Sequence, residues 1–161
     1  MLLSLTIGHT LLSIAAIIFG IALTADLLRG RDSTGLANAF LATALLTSLT
    51  GFLFPFVQVL PSHVVAVVAL LTLAITLPAR YRFRMAGGWR HAYSLGVVIN
   101  LYLLVFVAIA QAFSKVPALA ASAPNLQGPS FAITQALTFA LFVAIGVYTA
   151  RRYRGALPQG A

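Results

Sequence analysis

Five continuous apolar runs dominate the sequence, and each is long enough to cross a lipid bilayer as a helix. The hydrocarbon core of a bilayer takes about 20 apolar residues of α-helix. The runs cover about residues 3–28, 36–56, 63–79, 91–113 and 130–150. Strands of a membrane barrel instead alternate apolar and polar residues over about ten positions. The sequence therefore predicts an all-α polytopic membrane protein, a bundle of five transmembrane helices.

The scarcity of charged side chains supports this fold. Only 7% of the 161 residues are charged, against about a quarter in a typical soluble domain. We expect a single bundle over residues 1–154 and a disordered tail at 155–161. The first run has no basic stretch before it, which favours a retained helix over a cleaved signal peptide. The chain has no cysteine, which excludes disulfides, thiolate metal sites and cysteine nucleophiles.

The distribution of basic residues predicts the orientation. Nine arginines follow the first, third and fifth runs: Arg29, Arg31, Arg80, Arg82, Arg84, Arg90, Arg151, Arg152 and Arg154. Five crossings place all nine on one face of the membrane and leave Lys115 alone on the other. By the positive-inside rule the arginine-rich face is cytoplasmic, with the N-terminus outside and the C-terminus inside. Topology therefore accounts for the net charge of +8, and no nucleic-acid partner is expected.

Polar side chains inside apolar runs are costly in a bilayer, so each one is a candidate functional residue. Counting back about 20 residues from the cytoplasmic helix ends places five of them at one depth, near the outer boundary. These five are His9, His63, Gln111, Lys115 and Gln135. We predict that they line one outward-opening, ligand-binding pocket, roofed by the proline-containing loop 114–129. With no outer carboxylate to balance Lys115, this pocket should favour neutral or anionic ligands.

Helical phase groups further polar residues. On the fourth helix Tyr93, Asn100 and Gln111 fall within about 20° of one another at 100° per residue, which predicts a polar stripe through the membrane. On the first helix the small residues Ala16 and Gly20 follow the His9 face, a pattern that favours close helix packing.

The positions of the two acids, Asp26 and Asp32, argue against several classes of membrane protein. Both lie near the cytoplasmic end, whereas a proton or cation pump normally carries Asp or Glu through the bilayer. Two histidines without an acid make a poor zinc site, since zinc takes three or four protein ligands, and no hydrolase triad can be assembled at one depth. An enzyme is therefore not expected. Asp26 also has a purely structural interpretation, since it can pair with Arg29, one helical turn further on.

Three interpretations of the outer polar residues stay open. The first is a site for a quinone or a lipid headgroup, and Leu5, His9 and Leu12 resemble a permissive Leu-x3-His-x2-Leu/Thr pattern of quinone sites. The second is a b-type membrane cytochrome with one haem on His9 and His63. The third is a structural scaffold in which polar groups only join helices. In the leading interpretation the protein is not an enzyme. It binds a small apolar ligand such as a quinone or lipid, or it is an accessory subunit of a larger membrane complex. A homo-oligomer is a further possible assembly.

Several segments together resemble a family of small, uncharacterised bacterial membrane proteins of about this length. They are residues 50–56, 60–64, 87–90, 101–106, 111–119 and 129–135. The likeness covers most of the chain and is most specific in the Gln-x3-Lys-Val-Pro segment that starts at Gln111. Leu104 replaces an Asn of the family pattern, and Asn100 lies one turn earlier. The resemblance implies a multi-pass protein of the bacterial inner membrane and brings no function with it.

Overall fold

The computed structural model describes residues 2–54 and 61–153, and within them the chain is helical, without strands. In chain order the elements are α1 Leu2–Leu28, α2 Thr34–Gly51, α3 Pro61–Tyr81, α4 Trp89–Lys115, α5 Pro117–Ser122, a 3-10 turn Pro124–Leu126, and α6 Pro129–Arg152. The predicted all-α fold is confirmed. The predicted disordered tail lies outside the described residues.

Four of the described helices, α1, α3, α4 and α6, are long and apolar enough to cross a membrane. The second predicted run, about residues 36–56, forms a helix that is shorter than expected, because α2 ends at Gly51 and not near residue 56. The amides of Phe52 and Leu53 bond to carbonyls three residues back, which tightens the last turn. Pro55 follows in the sequence, and a proline disfavours helical backbone in the residue before it.

Three segments that carry arginines meet at one end of the bundle. Arg80, at the end of α3, donates to a carboxylate oxygen of Asp32 in the α1–α2 loop and to the hydroxyl of Tyr93 on α4 at 2.8 Å. Beyond α6, the hydroxyl of Tyr153 donates to the sulfur of Met85 at 3.0 Å. Burial raises the pKa of Tyr153, so the phenol stays protonated as a donor. We call this side of the molecule the arginine-rich end, and the opposite half the distal half.

Two glycines bring helices unusually close near the arginine-rich end. A Cβ atom on Gly96 of α4 would lie 2.0 Å from the hydroxyl oxygen of Thr76 on α3. A Cβ atom on Gly20 of α1 would lie 2.7 Å from the side chains of Phe40 and Leu101. Small residues allow such backbone approach in membrane helices. This half of the bundle is therefore tightly packed.

Large apolar side chains cover the outside of the bundle. Leu11, Leu71 and Leu137 are each more than 60% exposed, and they lie on three different helices. A water-soluble monomer rarely exposes apolar surface of this extent, whereas lipid tails solvate it well. The helix α6 is the least buried of the four candidate spans and packs mainly on α4. The fold is thus that of a helical membrane bundle.

Candidate functional site

A cavity of about 580 Å³ lies between α1, α2, α3 and α4 in the distal half. On α4 its lining extends from Asn100 to Lys115, a length of about 22 Å at a rise of 1.5 Å per residue. The volume falls within the range of about 300–1,000 Å³ that is usual for small-molecule sites. The cavity can therefore hold one elongated molecule that lies along the helices.

Four of the five predicted site residues line this cavity: His9, His63, Gln111 and Lys115. The fifth, Gln135, does not. It is buried on α6, and its side-chain nitrogen donates to the backbone carbonyl of Phe106 on α4 at 3.1 Å. Residues predicted at the same depth can still face different sides of α4. Counting residues from the helix ends therefore could not show that Gln135 lies apart from the other four.

His9 is held in place from α2. Its Nδ1 atom lies 2.9 Å from the hydroxyl oxygen of Thr50. The ring meets Phe54 edge to face, with 5.3 Å between the ring centroids, and its Cε1 lies close to Gly51, where a Cβ atom would be 3.8 Å away. The end of α2 thus orients a histidine of α1.

His63 lies near the start of α3 and is buried, with 6% of its surface exposed. Its ring lies 6.1 Å from the ring of Phe52, at an interplanar angle of 32°. The two histidines therefore contact different phenylalanines of the same turn after α2. This turn brings α1 and α3 together at the distal end of the cavity.

The hydroxyl groups of the described lining come from two helices. From α1 and α2 come the hydroxyls of Thr6, Thr10, Ser13, Thr47 and Ser48, together with the imidazole of His9. The facing surfaces of α3 and α4 carry no hydroxyl group: around His63, Asn100, Gln111 and Lys115 they are apolar, with Val65, Ala66, Ala69, Leu103, Leu104, Val107, Ala108 and Ala112. Among the described lining residues none is acidic, and Lys115 is the one Lys or Arg. The cavity therefore has the chemical character of a site for a neutral or anionic amphiphile.

Asn100 forms the deep end of the cavity and divides the predicted polar stripe of α4. It is 1% exposed, and its side-chain nitrogen donates to the carbonyl of Gly96 at 2.9 Å. Gln111 lies on the cavity side of Asn100, while Tyr93 lies in a separate cluster with Arg80 and Asp32. The stripe predicted from helical phase is therefore two polar sites with a packed layer between them.

The cluster of Asp32, Arg80 and Tyr93 was not predicted from the sequence. Tyr93 donates to one carboxylate oxygen of Asp32 at 2.9 Å, and Arg80 donates to the other. The Arg80 guanidinium also stacks on the Tyr93 ring, 5.1 Å from its centroid. The sequence did mark Asp32 as unusual, because it is one of only two acids. It gave no indication of the partners, because they lie far along the chain.

The predicted Asp26–Arg29 pair is wrong. Asp26 pairs with Arg31 at 2.9 Å and accepts a hydrogen bond from Ser33. The helix α1 ends at Leu28, and the backbone then turns through Gly30 with a positive φ of 73°. Arg29 does lie one turn after Asp26, with its amide bonded to the Asp26 carbonyl at 2.9 Å, but the turn at Gly30 brings the Arg31 amide back to the same carbonyl, and it is the Arg31 guanidinium that reaches the carboxylate.

The segment 116–128, which makes up most of the predicted roof 114–129, does not line the cavity. It forms α5 and the 3-10 turn, and none of its residues belongs to the described lining. It packs beside α4, with Ala123 1% exposed. Pro117 stands in the first turn of α5, where its fixed φ favours a helix start. A short helix therefore replaces the predicted loop.

Comparisons of the chain with protein-family models, with curated proteins and with solved structures gave no match. The function must therefore be inferred from the cavity and its lining residues.

Proposed function

We propose that this chain is a five-span protein of the bacterial inner membrane that holds one amphiphilic molecule, a quinone or a lipid, in its distal cavity. The observation that carries the proposal is a mainly apolar cavity that also presents hydroxyl groups of α1 and α2, two imidazoles, and the amide and ammonium groups of α4. Ligand sites are commonly apolar with a few placed polar groups. Such a protein acts alone, as a homo-oligomer or as an accessory subunit of a larger membrane complex.

In this topology α2 crosses the membrane together with α1, α3, α4 and α6, which makes five spans. The α1–α2 loop and the end of α3 meet at the arginine-rich end, so α2 and α3 each extend from that end into the distal half. With 18 residues, α2 is about 27 Å long, close to the thickness of the hydrocarbon core. Asn38, in its second turn, accepts a hydrogen bond from the hydroxyl of Tyr81 at 2.7 Å. This bond satisfies a polar group near the membrane surface.

The orientation has a direct test. A reporter fused to the C-terminus should read cytoplasmic, and one inserted near Asn125 should read external, because positive charge is retained on the cytoplasmic side. Paired alkaline phosphatase and fluorescent-protein fusions measure this. An external C-terminus, or the same location for both sites, contradicts the five-span topology.

The ligand is inferred from the shape and charge of the cavity. Its length along α4, from Asn100 to Lys115, suits a head near Lys115 and an apolar chain directed toward the middle of the membrane. Lys115 can keep its ammonium group near water while its stem covers apolar surface. The small side chains of Ala66, Ala69 and Ala108 leave the space that such a chain would fill.

Filling the cavity should abolish binding. Ala108→Phe places a large ring where Ala108 lines the cavity, and we expect the affinity for a decyl-substituted benzoquinone to fall at least tenfold. Ala140→Phe is the matched control, because Ala140 is exposed on α6 and is not a lining residue. The measurement is a titration of the purified full-length protein in detergent, with mass spectrometry of co-purified lipids. Equal affinities in the two variants would argue against the cavity as the site.

The second candidate is a single b-type haem, and one observation favours it. Histidines that bind metals usually have their second ring nitrogen oriented by a hydrogen bond, as His9 has through Thr50. A haem protein purified after expression with added haem would show a Soret band that His9→Ala or His63→Ala removes. A colourless preparation that binds quinone or lipid favours the first candidate. A colourless one that binds neither favours the scaffold.

A further inference from the structure

The hydrogen bonds around Thr50 determine which nitrogen of His9 carries the proton. The Thr50 hydroxyl oxygen lies 2.8 Å from the carbonyl of Leu46 and 3.2 Å from that of Thr47. A carbonyl oxygen only accepts, so the single hydroxyl proton of Thr50 is directed to these acceptors. His9 Nδ1, at 2.9 Å from the same oxygen, must then be the donor.

It follows that neutral His9 has its lone pair on Nε2. The two ring nitrogens point away from each other, so Nε2 is turned away from Thr50. Among the described residues it has no hydrogen-bond partner, and His9 lines the cavity. A doubly protonated imidazolium is disfavoured there, because no described lining residue is acidic and a charge without a counterion is costly in an apolar setting.

We propose that His9 Nε2 accepts a hydrogen bond from the ligand, so that the cavity selects a head group with a hydroxyl and binds a hydroquinone more tightly than the corresponding quinone. This inference rests on the proposed amphiphile site and specifies its ligand. In it Thr50 is a positioning residue, which acts through the tautomer and orientation of His9.

The chemistry of the two redox forms explains the selection. A hydroquinone hydroxyl can donate to His9 and at the same time accept from a donor on α4, for which Gln111 and Lys115 line the same cavity. A quinone carbonyl accepts only. It would leave the His9 lone pair desolvated without a partner, and such an unpaired group carries a penalty. We expect at least a tenfold preference for the hydroquinone.

The same hydroxyl chemistry is present in phosphatidylglycerol. The experiment therefore has two pairs of ligands: decyl-hydroquinone against decyl-quinone, kept reduced or oxidised under anaerobic conditions, and phosphatidylglycerol against phosphatidylcholine, which lacks a hydroxyl. Each is titrated into the full-length protein in detergent. Nitrogen-15 NMR of labelled histidine, with the His9 signal assigned by its loss in His9→Gln, reports the tautomer independently of any ligand.

Variants of α2 separate positioning from folding. Thr50→Val removes the hydroxyl, and we expect a mixture of His9 tautomers and a hydroquinone preference that falls below threefold. Thr50→Ser retains the hydroxyl and should restore both. Thr43→Val is the matched control, because Thr43 also bonds to backbone carbonyls of α2 but does not line the cavity.

The outcomes are distinct. An Nδ1–H tautomer with tighter binding of the hydroxyl-bearing member of either pair supports the inference, and the pair that binds identifies the source. An Nε2–H tautomer, or equal affinities within a pair that binds, overturns the inference and leaves the proposed function standing. If no compound binds, the proposed function fails and this inference fails with it.

Discussion

Arg80→Ala should lower the free energy of unfolding by about 3–5 kcal/mol, the usual cost of removing one partner of a buried ion pair. The side chains of Arg80 and Asp32 are only 6% and 10% exposed. Without the guanidinium, the Asp32 carboxylate keeps the Tyr93 hydroxyl as a donor but loses its cation. The same change removes the contact between the guanidinium and the Tyr93 ring. Three segments of the chain lose their common contact.

The control for this prediction is at the same end of the bundle. Arg31→Ala also breaks an ion pair, with Asp26, but the Arg31 side chain is 63% exposed. The Asp26 side chain is 11% exposed and keeps the hydrogen bond from Ser33, while water screens the exposed guanidinium, so this variant should lose much less stability than Arg80→Ala. Unfolding in mixtures of mild detergent and dodecyl sulfate, followed by circular dichroism, measures both. Equal shifts for Arg80→Ala and Arg31→Ala would mean that the buried pair adds no more stability than the exposed one.

Gly96→Ala should destabilise the bundle by about 1–3 kcal/mol, the usual cost of overpacking. The added Cβ would lie 2.0 Å from the Thr76 hydroxyl oxygen and 3.0 Å from the Thr76 Cβ. To make room for it, α3 and α4 must separate. Gly8→Ala is the matched control, because a Cβ on Gly8 of α1 meets nothing within 4 Å. That variant should be neutral or slightly stabilised, since alanine is the better helix former.

The rescue variant tests the cause of the Gly96 effect. Thr76→Ala removes the hydroxyl and methyl groups that the new Cβ meets, so Gly96→Ala combined with Thr76→Ala should recover most of the loss. Thermal unfolding in one detergent ranks the single and double variants. Additive losses would show that contact with Thr76 is not the reason for the instability of Gly96→Ala.

The helices and most of the candidate site residues could be predicted, because both follow from the order of residues along the chain. Runs of apolar residues locate helices because each run must hide its backbone polar groups from lipid, and helix-end residues such as Arg80 mark where the runs stop. Counting along helices also selected His9, His63, Gln111 and Lys115, which line one cavity. The position of a residue along a helix can be counted from the sequence alone.

The sequence did not predict what depends on rotation and on distant partners. Gln135 shares the predicted depth of the other four residues but bonds to the backbone of α4. Asp32 and Arg80 are separated by 48 positions, and no periodicity relates them. The end of α2 was placed too late because apolar residues continue through the turn after Gly51, so hydropathy alone gave no stop signal there.

The positions of Gly20 and Gly96 relative to the cavity have a mechanical consequence. The Gly96–Thr76 contact lies on the arginine side of Asn100, and the Gly20 contact lies next to Asn100, at Leu101, so the helices pack closely up to the deep end of the cavity and enclose the cavity beyond it. A bound molecule can push the distal ends of α1, α2, α3 and α4 apart. The close helix contacts at Gly20 and Gly96 then resist the spread of this displacement toward the arginine-rich end. Occupancy would therefore change the spacing of the distal ends and leave the arginine-bearing loops unmoved. Such a bundle is suited to shelter or store a molecule within one leaflet and poorly suited to report its presence across the bilayer.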